Sequence, residues 1–468
     1  MTSTFLLILL LSLSLLCVSE AQTSYANEFV DPDYILNGNF PGNTASAQKT
    51  IGDWATKLAA DGPWSVTSKD ATPPSGTKHD YMSWAPYWWP DCSEAGNSTA
   101  LPGTEVWTMC RYVRQDGKFN PDIRNVNDVG NFQTMTDAVF YNAMAWALNR
   151  SSQTYFSRNA VRFIQAWFLD ENTRMNPNLN YAQMIRGSDG RPGSPTGVLD
   201  LKGMAKIASA ILILRRGNSP DWTSDLDDQM VSWAQEHTHW LETSENALAE
   251  GHAENNHGSF YYNQLAGLKL IVNDIPGAIN VTSTYFSNQF ASQMVASGEQ
   301  PLEAARTRPY HYRAYNIAAM ITNARIEKYA NPSSDVWNRT SSTSATIKTA
   351  LDYAMTHRAA DSGEAEYAIE LYPNVAAVAS VYGDESGTYL EYLRNEEPGF
   401  YGEPYFMLSY GTWAASEQTP LPNPSPSQIP KSTSGSKLTA ANGAAAINVI
   451  MSRFLQFTLP LVLLSLMS

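Results

Sequence analysis

Hydrophobic residues recur at three- and four-residue intervals along most of the chain after about residue 131. In the segment 132–148, Phe132, Met135 and Val139 follow this spacing, which places them on one face of a helix. The same pattern predicts further helices at 155–169, 200–215, 224–242, 260–272, 285–296, 311–329, 343–357 and 365–381. The alternating pattern of half-buried strands is scarce.

The predicted fold is therefore all-α. Loops carrying Gly, Pro and Asn join the helices, as expected of stacked helical hairpins. Such hairpins could close into an α/α toroid, although an irregular helical bundle fits the periodicity equally well. The segment 24–130 is loop-rich and aromatic, and we expect it to pack over one end of the helical body as part of the same domain.

The two ends of the chain have the composition of processed segments. Residues 1–21 form an apolar run ending in a small-x-small pattern, which predicts a signal peptide. A domain is expected at 22–415, followed by a Pro/Ser/Thr-rich linker at 416–441. The segment 442–468 fits a GPI-attachment signal with Asn442 as the attachment residue, Ser434 and Ser436 being alternatives. A membrane span or an unprocessed tail is the competing interpretation.

Cysteines and sequons agree with a secretory route. Cys17 lies in the predicted signal peptide, and the remaining pair, Cys92 and Cys110, is expected to form a disulfide rather than two free thiols. Potential N-glycosylation sites are Asn97, Asn149, Asn280 and Asn338. We therefore expect a secreted glycoprotein at the cell surface or in the cell wall.

Charge and aromatic content narrow the class of partner. The net charge of −14 argues against nucleic acid. The chain is 11% aromatic, with 13 Trp and 24 Tyr, and aromatic rings can stack on sugar faces, although they can equally fill a large core. An acidic protein that binds an acidic polysaccharide would need a locally basic cleft.

Two loops have a composition suited to sugars. The loop 79–91 carries five aromatic residues within nine positions and predicts either a stacking platform or a plug over the core. Its candidate binding residues are Tyr81, Trp84, Tyr87 and Trp88. The Asn-rich segment 176–183 offers neutral donors and acceptors for hydroxyl groups, with Asn180, Tyr181 and Gln183 as candidates, although Asn-rich turns also form for local reasons.

A third cluster, at 252–260, directly precedes a predicted helix. His252, Glu254 and His257 could ligate a metal, but their spacing is not that of a helical zinc hydrolase. We therefore expect no metal and no cofactor. The neighbouring pair of Asn256 and His257, with Asn255 before it, is better suited to binding a carboxylate.

A fourth cluster, at 303–315, provides the basic patch. On a helix that begins near Pro309, the residues Arg308, Tyr312 and Tyr315 lie along one face. Arg308 then stands at the helix N-terminus, where the helix dipole also favours an anion. Arg306 and His311 add further donors.

These clusters together suggest β-elimination. Abstracting the proton α to a carboxylate requires donors that neutralise that carboxylate, and a base and an acid to move the protons. Asn256, His257 and Arg308 suit the first task, and Tyr315 suits the second.

The ordered motifs from about residue 79 to 329 resemble the alginate-lyase superfamily of polysaccharide lyases. They comprise HDYMSWAPYWWPD, RQDGKFNP, AWFLDENTRMNPNLNYAQ, GVLDLKG, NNHGSFY and the helix carrying Arg308 and Tyr315. The resemblance implies an incomplete α/α toroid, with Asn256, His257 and Arg308 neutralising the carboxylate. It also implies that Tyr315 is base, acid or both, with His257 able to share the base role. Arg306 offers an alternative alignment for the arginine.

Stereochemistry narrows the substrate to two polymers. In mannuronate and glucuronate the C5 proton and the C4 oxygen are syn, so one tyrosine could serve both, whereas guluronate favours groups on opposite faces. We therefore expect the substrate to be polymannuronate or β-1,4-glucuronan. We also expect the protein to be a monomer. A glycoside hydrolase would instead need paired carboxylates from Asp80, Asp128, Asp200, Glu254 or Glu303. A non-catalytic wall-binding protein is the other alternative.

Overall fold

The computed structural model describes residues 29–40, 42–95, 101–149 and 154–409. The predicted signal peptide (1–21), linker (416–441) and GPI signal (442–468) lie outside these residues, as do Asn97 and Asn442. None of the described helices is long and apolar enough to cross a membrane.

The described residues form mostly helices. The helices, in chain order, are α1 (Pro32–Asn37), α2 (Ala45–Asp61), α3 (Gly103–Met109), α4 (Asp128–Leu148), α5 (Thr154–Ile164), α6 (Met204–Arg216), α7 (Ser224–Thr243), α8 (Glu245–Gly251), α9 (Asn256–Ile271), α10 (Ile275–Ser287), α11 (Gln289–Gln293), α12 (Pro301–Ala304), α13 (Pro309–Ala330), α14 (Ile347–Met355), α15 (Tyr372–Tyr382), α16 (Thr388–Glu396) and α17 (Pro404–Leu408). Four short strands are β1 (Met82–Trp84), β2 (Trp88–Asp91), β3 (Arg111–Arg114) and β4 (Tyr181–Met184).

Helix contacts run in a closed order through α2, α4, α6, α9, α13, α15 and α17, which packs back on α2. Other helices pack outside this ring, with α5 against α4 and α10 against α9 and α13. Every residue from Met204 to Leu214 of α6 is buried, as expected of a helix enclosed by protein on all sides. The arrangement is a ring of helical hairpins around one core.

Several predicted helix boundaries were wrong because capping residues were overlooked. The segment predicted as a helix at 285–296 contains the end of α10, which begins earlier because Asp274 caps its N-terminus. The segment 365–381 is divided into a short 3-10 helix, Ala365–Glu370, and α15, where Pro373 occupies the first turn. The loop-rich interpretation of 24–130 missed α2, a helix of 17 residues.

Two pairs of short strands organise the N-terminal section. Strands β2 and β3 pair antiparallel, and β1 pairs parallel with β4. The predicted disulfide is confirmed, because Cys92 and Cys110 are bonded at the end of the β2–β3 ribbon where the chain passes from one strand to the other. A buried ion pair between Lys69 and Asp128, 2.8 Å apart, ties this section to α4.

Three predicted glycosylation positions fall within the described residues. Asn149, Asn280 and Asn338 are all exposed, which is the placement that a glycan acceptor needs. Glycosylation at these positions stays a prediction.

Candidate active site

The N-terminus of α9 carries the first pair of predicted site residues. Asn255 is the N-cap, and its Oδ1 accepts a hydrogen bond from the backbone N–H of His257 at 3.2 Å. The helix therefore begins at Asn256, four residues before the apolar pattern predicts, since an asparagine cap satisfies first-turn donors. Asn256 and His257 thus lie where the helix dipole favours an anion.

A buried carboxylate, Glu303, fixes the orientation of Asn256. Its Oε1 accepts the backbone N–H of Asn256 at 2.6 Å, and its Oε2 accepts the side-chain amide at 2.7 Å. Glu303 and Asn256 are each only 1% exposed. Burial raises the pKa of Glu303, while the two bonds from Asn256 and the nearby His257 and Arg306 oppose that rise. The second hydrogen of the Asn256 amide suits a substrate carboxylate.

We expect Glu303→Gln to reduce kcat by about tenfold to a hundredfold, since a buried polar group without its partner costs about 1–3 kcal/mol and 1.4 kcal/mol is tenfold. A glutamine offers one acceptor oxygen to two donors, so the Asn256 amide loses its fixed orientation. Steady-state kinetics on a cleaved polymer tests this. The matched control is Glu236→Gln, on an exposed position of α7. Equal rates for both variants would show that Glu303 does not orient Asn256.

A second buried carboxylate holds His257. Nδ1 of His257 lies 2.6 Å from Oε1 of Glu250, whose side chain is 3% exposed, while that of His257 is 18% exposed. A carboxylate on Nδ1 fixes the tautomer and the ring orientation. Nε2 of His257 is thereby the nitrogen available for a substrate.

The N-terminus of α13 holds the predicted arginine. Arg308 is the N-cap residue of α13, and its Nη2 donates to the carbonyl oxygen of Gly117 at 3.1 Å. Gly117 has a φ of +72°, and a Cβ there would lie 2.5 Å from Oγ1 of Thr307. The turn beside Arg308 therefore requires glycine both for its backbone conformation and for its close approach.

Arg306 has a different environment from Arg308. Its guanidinium lies 3.9 Å from the ring centroid of Tyr312, and its Nη2 donates to the Tyr312 hydroxyl at 2.9 Å. The Tyr312 hydroxyl also lies 3.2 Å from that of Tyr87. Burial raises the pKa of Tyr312, an effect that Tyr87 reinforces and Arg306 opposes. Tyr312 is therefore suited to be a neutral phenol that positions Arg306.

The fourth catalytic candidate, Tyr315, lies one turn further along α13 and is half-buried. Its ring packs against Phe260 of α9, with centroids 4.3 Å apart. It also stacks on His311, at 5.5 Å and an interplanar angle of 23°. The contact with Phe260 joins α9, which carries Asn256 and His257, to α13, which carries Arg308.

The aromatic loop is divided between core and surface. Tyr81 is 1% exposed and Trp84 is 5% exposed, and this burial does not fit the sugar-stacking surface expected of them. Tyr81 instead donates a hydrogen bond to Asp200. Tyr87 and Trp88 are half-buried, so they are the members of the predicted platform that a ligand could reach.

The Asn-rich segment is also divided. Asn180 is exposed and its Oδ1 accepts the indole N–H of Trp240 at 2.9 Å, while Tyr181 beside it is half-buried. Gln183 instead donates to Asp200 at 2.9 Å and has a φ of +47°. Gln183 therefore supports the loop more directly than it can meet a sugar.

The carboxylates considered for hydrolysis have structural partners. Asp200 accepts hydrogen bonds from Tyr81, Ser83 and Gln183, and burial raises its pKa. Asp80 accepts from Asn176 at 2.7 Å, and Asp128 pairs with Lys69. Glu254 is exposed. Among the described residues, no group of three or more His, Cys, Asp or Glu side chains could hold a metal ion.

No motif in the sequence indicated the roles of Glu250, Glu303 and Glu370. Each lies within 2.7 Å of one polar residue of the site, which is His257, Asn256 and His311 respectively. Glu303 was considered only as a hydrolytic carboxylate. Because the Glu303 and Glu370 pairs join distant parts of the chain, no local pattern reveals them.

Comparison with known proteins identifies the family and the fold. The family model described as alginate lyase matches residues 65–365, which is more than half of the chain. An alginate lyase from Bacteroides ovatus is structurally similar, with a TM-score of 0.68 and 24% identity over 83% of this chain and 99% of that chain. That likeness establishes the fold, and the predicted α/α toroid is confirmed.

Two further comparisons concern a second solved structure and the curated protein sequences. Alginate lyase A1-III from Sphingomonas species A1 matches 73% of this chain and 82% of its own, with a TM-score of 0.38 and 11% identity. Among curated protein sequences, none matches significantly. The family match, which covers more than half of the chain, shows that the chain belongs to the alginate lyase family and is a polysaccharide lyase.

Proposed function

We propose that this protein cleaves a β-1,4-linked polyuronate by β-elimination, with Asn256, His257, Arg308 and Tyr315 as its catalytic residues. The observation that carries the proposal is the contact between Phe260 and Tyr315, with centroids 4.3 Å apart. It joins the first turns of α9, where Asn256 and His257 lie, to the first turns of α13, where Tyr315 follows Arg308.

The proposed elimination needs only the substrate and the side chains of the protein. Asn256 and Arg308 donate to the substrate carboxylate, and His257 donates to it through Nε2 when its imidazole carries both protons, so that the negative charge developing on the carboxylate is stabilised when C5 loses its proton. Tyr315, in its ionised form, takes that proton. The electron pair forms the C4–C5 double bond as the bond from C4 to the glycosidic oxygen breaks. Tyr315 then returns the proton to the departing oxygen, which leaves an unsaturated uronate and a new chain end.

The preferred substrates are polymannuronate and β-1,4-glucuronan. In both polymers the C5 proton and the C4 oxygen lie on the same side, so one tyrosine can reach both. Two arginines, Arg306 and Arg308, supply local positive charge within a protein of net charge −14. Tyr87, Trp88, Asn180 and Tyr181 are exposed or half-buried and are the proposed sugar-binding residues.

We also propose that the protein is a secreted, glycosylated monomer attached to the cell surface by a GPI anchor. The apolar segment at 1–21, the small-residue and apolar segments at 442–468, and the Cys92–Cys110 disulfide support this location. Remodelling of a cell-wall polyuronate would suit such an enzyme.

The test is to incubate the purified protein with polymannuronate, polyguluronate and glucuronan while following the ultraviolet absorbance of the unsaturated product. We expect an increase with polymannuronate or glucuronan, and a much slower one with polyguluronate. A preference for polyguluronate would contradict the single-tyrosine mechanism. No increase with any of the three would overturn the proposed substrate class.

A further inference from the structure

A short segment at the end of the family-matched region packs directly on the N-terminus of α13. This segment, Glu364–Glu370, includes the 3-10 helix Ala365–Glu370 and is here called the docked segment. The family match ends at residue 365, so Glu370 lies beyond it. The docked segment contacts the helix that presents Arg308 and Tyr315, and it is therefore placed to influence both.

Glu364 anchors the docked segment to the backbone of α13. Its Oε1 accepts the N–H of Tyr310 at 3.1 Å, and its Oε2 accepts the N–H of His311 at 2.9 Å. These are first-turn donors without partners inside the helix. Glu364, at 3% exposure, thus acts as a buried cap supplied from another part of the chain.

Glu370 acts on a side chain instead of the backbone. Its Oε2 lies 2.6 Å from Nδ1 of His311, and the two side chains are 7% and 10% exposed. The other face of the contact is aromatic, because Tyr367 packs on the His311 ring with centroids 4.8 Å apart. The imidazole is therefore held in the plane in which it stacks on Tyr315.

We infer that Glu370 is a positioning residue of the elimination site, acting through His311 on Tyr315; this inference rests on the proposed function. A carboxylate at Nδ1 favours a proton on the imidazole. A protonated imidazole stacked on a phenol ring favours the ionised phenol that proton abstraction needs. The same pair also fixes the orientation of the imidazole that stacks on the Tyr315 ring.

Charged and titratable groups of two elements face His311 and Glu370, and Tyr310, beside His311 on α13, interacts electrostatically with Glu370. On α13 they are Tyr312, Tyr315 and, at its N-terminus, Arg308. On the docked segment they are Glu364, Tyr367 and Glu370. Arg308 lies 5.4 Å from the ring centroid of Tyr367, and Glu370 is the carboxylate that directly contacts the imidazole.

The kinetic test compares kcat and its pH dependence for the wild-type protein and Glu370→Gln on the polymer that the wild type cleaves. We expect kcat to fall about tenfold with little change in KM. We also expect the acid limb of the plot of kcat against pH to move up by about one pH unit, because an adjacent opposite charge has been removed. The limb moves up because Tyr315 then ionises without a cation beside it.

Two matched variants separate charge positioning from structural support. Glu366→Gln makes the same change at an exposed position of the docked segment, and we expect wild-type kinetics. Glu364→Gln weakens the backbone cap, and we expect a lower melting temperature with the acid limb in its wild-type position. If Glu370→Gln lowers kcat without moving the acid limb, as a loss of packing would, the inference is overturned.

A measurement without substrate tests the pair itself. In protein labelled with ¹⁵N-histidine, with the His311 signals assigned from His311→Asn, the wild-type ring should hold its proton to higher pH than in Glu370→Gln. Identical titrations would overturn the inference whatever the kinetics. If the wild type cleaves no polyuronate, the proposed function fails separately, and the titration still decides whether Glu370 controls His311.

Discussion

Replacing Tyr315 with phenylalanine should reduce kcat by about 10²–10⁴-fold, the contribution typical of a positioned general acid–base group. The change removes only the hydroxyl. The ring contacts with Phe260 and His311, at 4.3 and 5.5 Å, should persist. We therefore expect the variant to fold and to bind the polymer nearly as well as the wild type. Formation of unsaturated product and oligosaccharide binding, measured on the same preparation, test the two expectations together.

The matched control is Tyr329→Phe, which makes the same change in a half-buried tyrosine on the same helix. Tyr329 is 14 residues further along α13, about 21 Å along the helix axis, and packs on Phe29 at the other end. It should retain wild-type activity. If Tyr312→Phe abolished activity while Tyr315→Phe did not, the base would have to be reassigned to Tyr312.

Replacing Arg308 with alanine should reduce kcat/KM by about 10²–10³-fold, the usual cost of losing one donor to a developing oxyanion. Arg308 is the N-cap residue of α13, where the helix dipole adds to its own charge, so its loss would remove positive charge from the place where the proposed mechanism binds the substrate carboxylate. Arg308→Lys keeps the charge but not the planar fork, and an intermediate rate is expected. Initial rates across a range of polymer concentrations provide the measurement.

The comparison with Arg306→Ala decides between the two alignments of the arginine motif. Arg306 donates to Tyr312 at 2.9 Å and lies 3.9 Å from Asp116, so its charge is directed towards protein groups. We expect a loss of less than tenfold in kcat/KM, together with a lower melting temperature. A larger loss for Arg306→Ala than for Arg308→Ala would move the catalytic role to Arg306. Arg394→Ala, at an exposed position, controls for a general loss of positive charge.

Much of the helical body could be predicted from spacing alone. The predicted helix at 311–329 corresponds to α13, Pro309–Ala330, because its apolar positions repeat at the helical period and Pro309 can only occupy a first turn. The relation of Arg308 to Tyr315 along one face follows from the same local geometry. The start of α9 was predictable in principle, since Asn255 is a good N-cap, but the apolar pattern drew the prediction to Phe260.

The partners of the site residues could not be predicted in this way. Glu303 is 47 residues from Asn256 and Glu370 is 59 residues from His311, and neither pair follows from any local period. Glu250 is nearer to His257 but belongs to the preceding helix. Glu303 and Glu370 are each buried against one residue of the site, because the packing of the helices brings distant segments of the chain together.

Residue spacing and residue chemistry were enough to predict most of the helices after residue 131, the Cys92–Cys110 disulfide and the residues of α13 that share a face, because these features depend on short-range geometry. Only the tertiary structure decided that Tyr81 and Trp84 belong to the core and that Asn256, His257 and His311 are each held by a buried carboxylate. The physical reason is that burial and hydrogen bonding between remote segments depend on how the helices pack, which the local pattern of apolar and polar residues does not specify.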